Sequence, residues 1–492
     1  MNKTKELPTR GMSRDTLFSK MEEVRKNDIK WKEGKAFSLV FHGGEEISNV
    51  IKDAYCMFFS ENGLNPSAFP SLKKFENEVV AMTSKLLNGE NQPSGDIAAG
   101  TMTSGGTESI LMAIKTAREW AKVNKPEITE PELIMPITAH PAFNKAGHYF
   151  GVKIITIPTR GDYRADVQAM REAVNKNTIL LVGSAPSYPQ GVIDPIEEIA
   201  SLAKQNGILM HVDACVGGIV LPFYRKLGSK LPGFDFAVDG VTSISVDLHK
   251  YGYAAKGASV VLYKNKELRR HQFYVTTDWP GGMYGSPAVL GTRPGGAIAA
   301  AWAIMNYLGE EGYMKLIGGI RDTTAEFIKR IEDIQGIQIA GDPDMSVLCL
   351  VSDEIDVFQV GDSMAKRGWH MDMQQFPNGL HLTITAAHAG SIDEFFEDLR
   401  RAVAEARGLG SKISGIKTSM AKGMLKTLPK NMVSKLVQKE GKNIGAGDSR
   451  PEKMAPMYGM MAAITDDKDR ETLVKDALDN LFTPKGEDGY QQ

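Results

Sequence analysis

The residues best suited to chemistry sit in four short stretches. The first, TSISVDLHKYGYAAKG (242–257), alternates small and β-branched residues and reads as a buried strand that ends at His249 and Lys250. Poor solvation at such a strand end favours a neutral amine, so Lys250 is expected to attack an aldehyde and hold it as a Schiff base. The second, TSGGTES (103–109), places Gly105, Gly106 and Thr107 at the entry to a helix. Glycines let the backbone close on a phosphate and the helix dipole favours its charge, although the same residues could simply cap the helix. The third, HVDACVGG (211–218), ends an apolar strand with Asp213, whose carboxylate could keep a pyridine nitrogen protonated or cap the next turn. Cys215 beside it reads as a small buried filler. The fourth is His140 in TAHPAFNKAGHYF, an imidazole able to stack on a flat ring or to serve structure alone. An amine, a phosphate cradle, a carboxylate and a stacking ring, each after a strand, fit one cofactor. That cofactor is pyridoxal 5′-phosphate (PLP), joined to Lys250.

These groups need a scaffold that brings strand ends to one rim. Apolar strands are expected at 133–137, 152–158, 178–184, 208–212, 243–246 and 258–263, and a helix at 107–122. Between two of the strands, Asp194 and Pro195 read as a helix start and Gly207 as a stop. Apolar strands separated by helices predict a parallel or mixed sheet covered on both faces, with ligands bound beyond the carboxyl ends of the strands. The fold class is therefore α/β, a mostly parallel sheet flanked by helices, with a small α+β domain after it. We divide the chain into an N-terminal arm (1–65), a large cofactor-binding domain (66–300), a small α+β domain (301–410), a basic insertion (411–453) and a C-terminal segment (454–492) packing on the small domain.

Composition narrows the class. The 58 Lys and Arg nearly balance 60 Asp and Glu over 492 residues, for a net charge of −2, which gives no reason to expect nucleic acid. Three scattered cysteines form neither a disulfide framework nor a zinc pattern and suit a reducing cytoplasm. The N-terminus carries no apolar signal core, and no run approaches the roughly 18 apolar residues of a membrane span.

At the quoted residues the chain resembles the fold-type-I PLP enzymes of the group that contains glutamate and aromatic amino-acid decarboxylases. More specific stretches resemble the sphingosine-1-phosphate lyases: VTSISVDLHKYGYAAKG, TDWPGGMYGSPAVLGTRPGG (277–296), AHPAFNKAGHYFGVKI (139–154), GVIDPIEEIA (191–200) and MYGM (457–460). The likeness runs from Leu7 over nearly the whole chain and, without the membrane helix that eukaryotic members carry, resembles their soluble bacterial relatives. It implies retro-aldol cleavage of the C2–C3 bond of a phosphorylated long-chain base, with a fatty aldehyde and phosphoethanolamine as products. His249 and the freed Lys250 are then the proton carriers, and Lys256 and Tyr458 partners of the substrate phosphate. It further implies a homodimer whose active sites lie between subunits, so that Gly281, Gly282 and Tyr284 serve the neighbour's cofactor. Where the family is expected to carry Tyr, His and Ser around the substrate phosphate, this chain has Phe41, Asn65 and Thr292, and Tyr188 offers a hydroxyl that could compensate.

One discriminator is independent of that likeness. Enzymes that hold a substrate α-carboxylate do so with an arginine, often from the small domain. Residues 368–399 contain neither Arg nor Lys, which argues against transamination and leaves Arg293 as the residue through which an amino-acid decarboxylase could work. A group II decarboxylase and an inactive lipid- or partner-binding scaffold stand as the alternatives. In the insertion, Met420, Met424, Leu428, Met432 and Leu436 recur every four residues with lysines between them. This reads as a helical hairpin with solvated lysines packed on the large domain, or as helices making peripheral contact with an anionic membrane.

Overall fold

The computed structural model describes residues 6–408 and 467–483. The basic insertion, the MYGM stretch and Tyr458 lie outside the described residues. At the centre is a seven-stranded sheet made of β1 (Ala99–Thr103), β2 (Glu132–Pro136), β3 (Lys153–Ile157), β4 (Thr178–Ser184), β5 (Leu209–Asp213), β6 (Ser243–Asp247) and β7 (Ser259–Tyr263). Its order is β1-β7-β6-β5-β4-β2-β3. Strands β2 to β6 run parallel, and β7 and β1 add antiparallel pairings at one side. The expected strands are all present within a residue or so; β1 is one that the sequence reading passed over.

Strand alternation divides the large core in two. Leu180 and Val182 of β4, Leu133 and Met135 of β2 and Val261 of β7 face one layer, shared with α4 (Gly106–Asn124) and α5 (Ala142–Phe150). Leu181, Ile134, Met210, Val212, Val260 and Leu262 face the other, shared with α7 (Ile196–Gln205), α8 (Gly217–Lys226) and the first half of α10 (Gly295–Glu332). Both faces of the central strands are dry, as parallel sheets require. The remaining large-domain helices are α3 (Pro70–Leu86), α6 (Val167–Ala173) and α9 (Lys266–Arg270), and a hairpin of β8 (Tyr274–Thr276) and β9 (Tyr284–Ser286) projects from it.

Asp194 does not cap α7. The cap position belongs to Pro195, and Asp194 is fully buried, accepting from the amides of Ser184 and Ala165, each at 2.8 Å. Burial pushes its carboxyl up to about 6, the two amides partly offsetting that. It rivets the end of β4 to the strand-to-helix loop beside it.

Helix α10 is interrupted at Gly309 (φ 55°) and carries the chain across to the small domain. Its residues up to Ile320 pack in the large core, whereas Phe327 and Ile331 pack in the small one, so the expected 300/301 boundary falls inside a helix. The small sheet, β10 (Gln338–Ile339), β11 (Val347–Val351), β12 (Asp372–Gln374) and β13 (Gly379–Thr383), is antiparallel in the order β10-β11-β13-β12 and is backed by α11 (Val357–Lys366) and α12 (Ile392–Arg407). The arm enters this core: Phe37 is fully buried and stacks on His388 at 4.3 Å. Beyond it, α2 (Glu45–Met57) lies on α10, while α1 (Arg14–Arg25) buries no residue. Helix α13 (Asp467–Phe482) closes the described chain. Among the described residues no helix is long and apolar enough to cross a membrane.

Candidate active site

The carboxyl ends of β4, β5 and β6 lie side by side, Ser184 opposite Asp213 and Asp213 opposite Ser245. Above them opens a cavity of about 500 Å³, within the usual range for a small-molecule site. Lys250, His249, Lys256, Asp213, His140, Tyr188 and the 104–108 turn all line it. Residues far apart in sequence therefore converge as the strand pattern predicted.

Lys250 follows β6 on a turn whose geometry is set from below. Leu248 is fully buried, the Tyr253 amide donates to the Lys250 carbonyl at 3.0 Å, and Tyr253 adopts a left-handed conformation (φ 56°). The next residue, Tyr251, is also fully buried. Its hydroxyl meets the Ser346 hydroxyl at 2.7 Å and donates to the Ile384 carbonyl at 2.8 Å, both in the small domain. The Lys250 amine lies 2.9 Å from Asp247 Oδ2, with about a quarter of the side chain still accessible.

This pair corrects the expectation of a neutral amine. Burial does push Lys250 down, but the Asp247 carboxylate outweighs it and the net shift is upward, so in this state Lys250 is an ammonium. Asp247 shows the reciprocal balance: burial pushes it up, and Lys250 and His249 leave it lowered. Its other oxygen, Oδ1, is buried without a hydrogen-bond partner. His249 is pushed down, chiefly by burial, and so is neutral near pH 7; its Nε2 stands 3.7 Å from Asp247 Oδ2 and its Nδ1 is unpartnered. Lys256 donates to the carbonyls of Leu39 at 2.8 Å and His249 at 3.3 Å. Although the residue is exposed, the protein crowded around its amine, and then Lys250, lower it to about 8.

The turn before α4 is closed by Glu108. One carboxylate oxygen accepts from the Ser104 amide at 2.6 Å and the other from the Val289 amide at 2.7 Å. Helix geometry leaves the first-turn amides of α4 without intrahelical acceptors, as an anion site needs. Gly106 has no alternative: a Cβ there would lie 2.8 Å from both Asp247 Oδ2 and Cys215 Sγ. At the end of β5, Asp213 accepts from the Cys215 amide at 3.1 Å and the Ser245 hydroxyl at 3.4 Å. Behind it His211 is fully buried between Ser243 and Ser245 and is pushed down to about 4 by burial, so it is a neutral neighbour of Asp213. His140 accepts from the Ala142 amide through Nδ1, which fixes its ring on the exposed rim.

Gly282, Asn65 and Thr292 are not among the cavity-lining residues. Gly282 sits in the β8–β9 loop with φ 101°. Asn65 accepts from the amides of Ser67 and Ala68, and Thr292 accepts from Asn62 at 3.3 Å. Arg293 is tied to Glu76 at 2.7 Å and to the Gly63 carbonyl at 2.8 Å, and it does not line the cavity either. Asp247 is the residue that sequence reading missed at the centre of the site, although its spacing three before Lys250, across one turn, was available. Ser38, Leu39 and Thr383 also line the cavity, and no local pattern announces residues that arrive from the arm and the small domain.

The chemistry of this set fits PLP. It contains an amine that can take the aldehyde, a carboxylate that can meet the ring nitrogen, an imidazole at the rim, and a helix entry whose glycine leaves no room for a side chain. Comparison with known proteins agrees. Residues 1–352 match the pyridoxal-dependent decarboxylase conserved domain. The sphingosine-1-phosphate lyase of Arabidopsis thaliana is 46% identical over 417 residues, covering 84% of this chain and 76% of that protein. That of Dictyostelium discoideum is 40% identical over 480 residues, covering 97% and 82%. The solved sphingosine-1-phosphate lyase of Burkholderia pseudomallei superposes with a TM-score of 0.78 at 38% identity, over 85% of this chain and 96% of that one.

Proposed function

The chain belongs to the sphingosine-1-phosphate lyases within the pyridoxal-dependent decarboxylase family, and from that premise we propose that it cleaves the C2–C3 bond of a phosphorylated long-chain base to a fatty aldehyde and phosphoethanolamine. The observation that carries the choice of substrate class is the charge of the cavity. Its cations are Lys250 and Lys256, and no arginine is among the described residues that line it. Arg293, through which a decarboxylase could have held an α-carboxylate, is spent on Glu76 and Gly63.

Bound PLP supplies an electron sink conjugated to the amine-bearing carbon of the substrate. In this reading the amides of Gly105, Gly106 and Thr107 at the α4 entry would hold its phosphate, Asp213 would serve its ring nitrogen as a charged partner, and His140 would serve its ring. Lys250 would have to give up a proton to act as a nucleophile, and the carboxylate of Asp247, 2.9 Å away, holds that proton on the amine. His249, neutral and beside Lys250, is suited to take the proton of the substrate hydroxyl. Lys256 offers the substrate phosphate a cation below about pH 8.

A homodimer would complete the site. The β8–β9 hairpin exposes Tyr274, Val275, Trp279 and Met283, and α1 exposes Leu17, Phe18, Met21 and Val24, apolar side chains that a second subunit could cover. Gly281, Gly282, Tyr284, Asn65 and Thr292 would then serve the neighbour's cavity. The three free cysteines, Cys56, Cys215 and Cys349, suit a cytoplasmic location.

The test is incubation with sphinganine 1-phosphate, with aldehyde and phosphoethanolamine measured beside a panel of amino acids. Carbon dioxide from an amino acid, with no aldehyde from the lipid, would replace this reading by decarboxylation.

A further inference from the structure

One wall of the cavity is built across domains. Tyr188, on the loop after β4, donates its hydroxyl proton to Asp372 Oδ2 on β12 at 3.1 Å, and its ring stacks on His381 of β13 at 3.9 Å with 18° between planes. His381 is fully buried, with Nδ1 2.9 Å from the Gln374 amide nitrogen and Nε2 2.7 Å from the Thr383 hydroxyl. Asp372 is itself 3.4 Å from His370. Tyr188 and Thr383 both line the cavity. Two small-domain residues that do not themselves line the cavity thus hold a large-domain tyrosine in place.

We propose that Asp372 is a positioning residue: by accepting the hydrogen bond of the Tyr188 hydroxyl it presents the Tyr188 oxygen to the cavity as a hydrogen-bond acceptor, which selects a substrate with a hydroxyl beside its amine. A tyrosine hydroxyl has one donor and two acceptor positions, so once its proton is committed only acceptance is left. Under the lyase reading, on which this inference rests, the substrate amine joins the cofactor and the phosphate has its own partners. The donor that remains near the reacting carbon is the C3 hydroxyl. Tyr188 does not relay that proton as a base. Burial raises its hydroxyl, and Asp372, charged and hydrogen-bonded to it, raises it further. Burial would raise Asp372 as well, but His370 and Ser38 hold its carboxyl far below the usual range, where it is a poor proton acceptor. The Tyr188–Asp372 pair orients; the proton goes elsewhere.

The experiment is a titration of holoenzyme with sphinganine 1-phosphate and with its 3-deoxy counterpart, read from the cofactor absorbance in the first milliseconds, before turnover. Wild type is expected to prefer the hydroxylated ligand about five- to tenfold, the worth of one buried hydrogen bond. Asp372→Ala and Tyr188→Phe should each bring that ratio near one, and the double variant should equal Tyr188→Phe, with affinity for the deoxy ligand unchanged throughout. A ratio untouched by Asp372→Ala, losses that multiply in the double variant, or an equal loss for the deoxy ligand would overturn the proposal. If Asp372→Ala fails to hold cofactor, Tyr188→Phe decides alone, because it keeps the stacked ring and removes only the oxygen. Wild type that shows the preference yet releases no aldehyde would sink the lyase reading and leave this one standing.

Discussion

Lys250 and Asp247 meet one turn apart at the end of β6, amine to carboxylate at 2.9 Å, and their charges govern each other. The lysine is raised and the aspartate lowered, so the pair's stabilisation is whole between the unfolded values of about 4 and about 10. The aspartate's share is lost as pH falls below that window, the lysine's as pH rises above it. The cost falls on reactivity, because the free amine is scarce near neutrality. In Asp247→Asn the amine should be released at lower pH. The rate at which apoenzyme takes up PLP, followed by absorbance, should reach its plateau at least one pH unit earlier than in wild type.

Gly106→Ala tests the phosphate cradle. Its methyl would press on Asp247 and Cys215, and overpacking of this kind costs about 1–3 kcal/mol. We expect cofactor affinity at least tenfold weaker, measured by PLP titration of apoenzyme, with a smaller change in melting temperature.

Asp213→Asn tests the ring-nitrogen partner. A charge-assisted hydrogen bond is worth about 1.5–3 kcal/mol, so kcat should fall by about ten- to a hundredfold. Borohydride should still fix the cofactor on Lys250, because covalent attachment does not use Asp213. Unchanged kcat would remove Asp213 from its role.

Lys256 sets a basic limb. Its amine is lowered to about 8, so it carries charge below that pH and loses it above. If it meets the substrate phosphate, KM should rise between pH 7.5 and 9 with kcat little changed. Lys256→Arg, charged throughout, should flatten that rise.

Phe37→Ala tests the arm. Emptying a fully buried ring site in the small core should cost about 3–5 kcal/mol, read from denaturant unfolding. Because Ser38, Leu39 and Phe41 follow it into the cavity wall, KM should rise as well. Loss of stability with an unaltered KM would show the arm to be scaffold only.

How far the sequence could be read depended on the range of the interaction. The apolar run of Leu180, Leu181 and Val182, and the four stretches around Lys250, Asp213, Gly106 and His140, are local signals, and they led to the sheet and to one rim. Strand β1 was passed over because AGTMT is five residues with a glycine, and its pairing with β7 is what makes it a strand. The Lys250 amine was misjudged because burial was weighed without the carboxylate three residues earlier. Asp194 looked like a cap because its sequence neighbours are those of a cap; its partners, Ser184 and Ala165, are reached only through the fold. Asp372 and Thr383 were invisible for the same reason.

Tyr251, whose hydroxyl is moored to Ser346 and Ile384, is covalently adjacent to Lys250. The lever arm between the small domain and the reacting nitrogen is therefore a single peptide unit. A chimera carrying a foreign small domain would change the pose of that nitrogen even with every cavity residue retained. Attempts to retune the lipid tail by domain exchange should transplant Ser346, Ile384 and Tyr251 together, as one mechanical part.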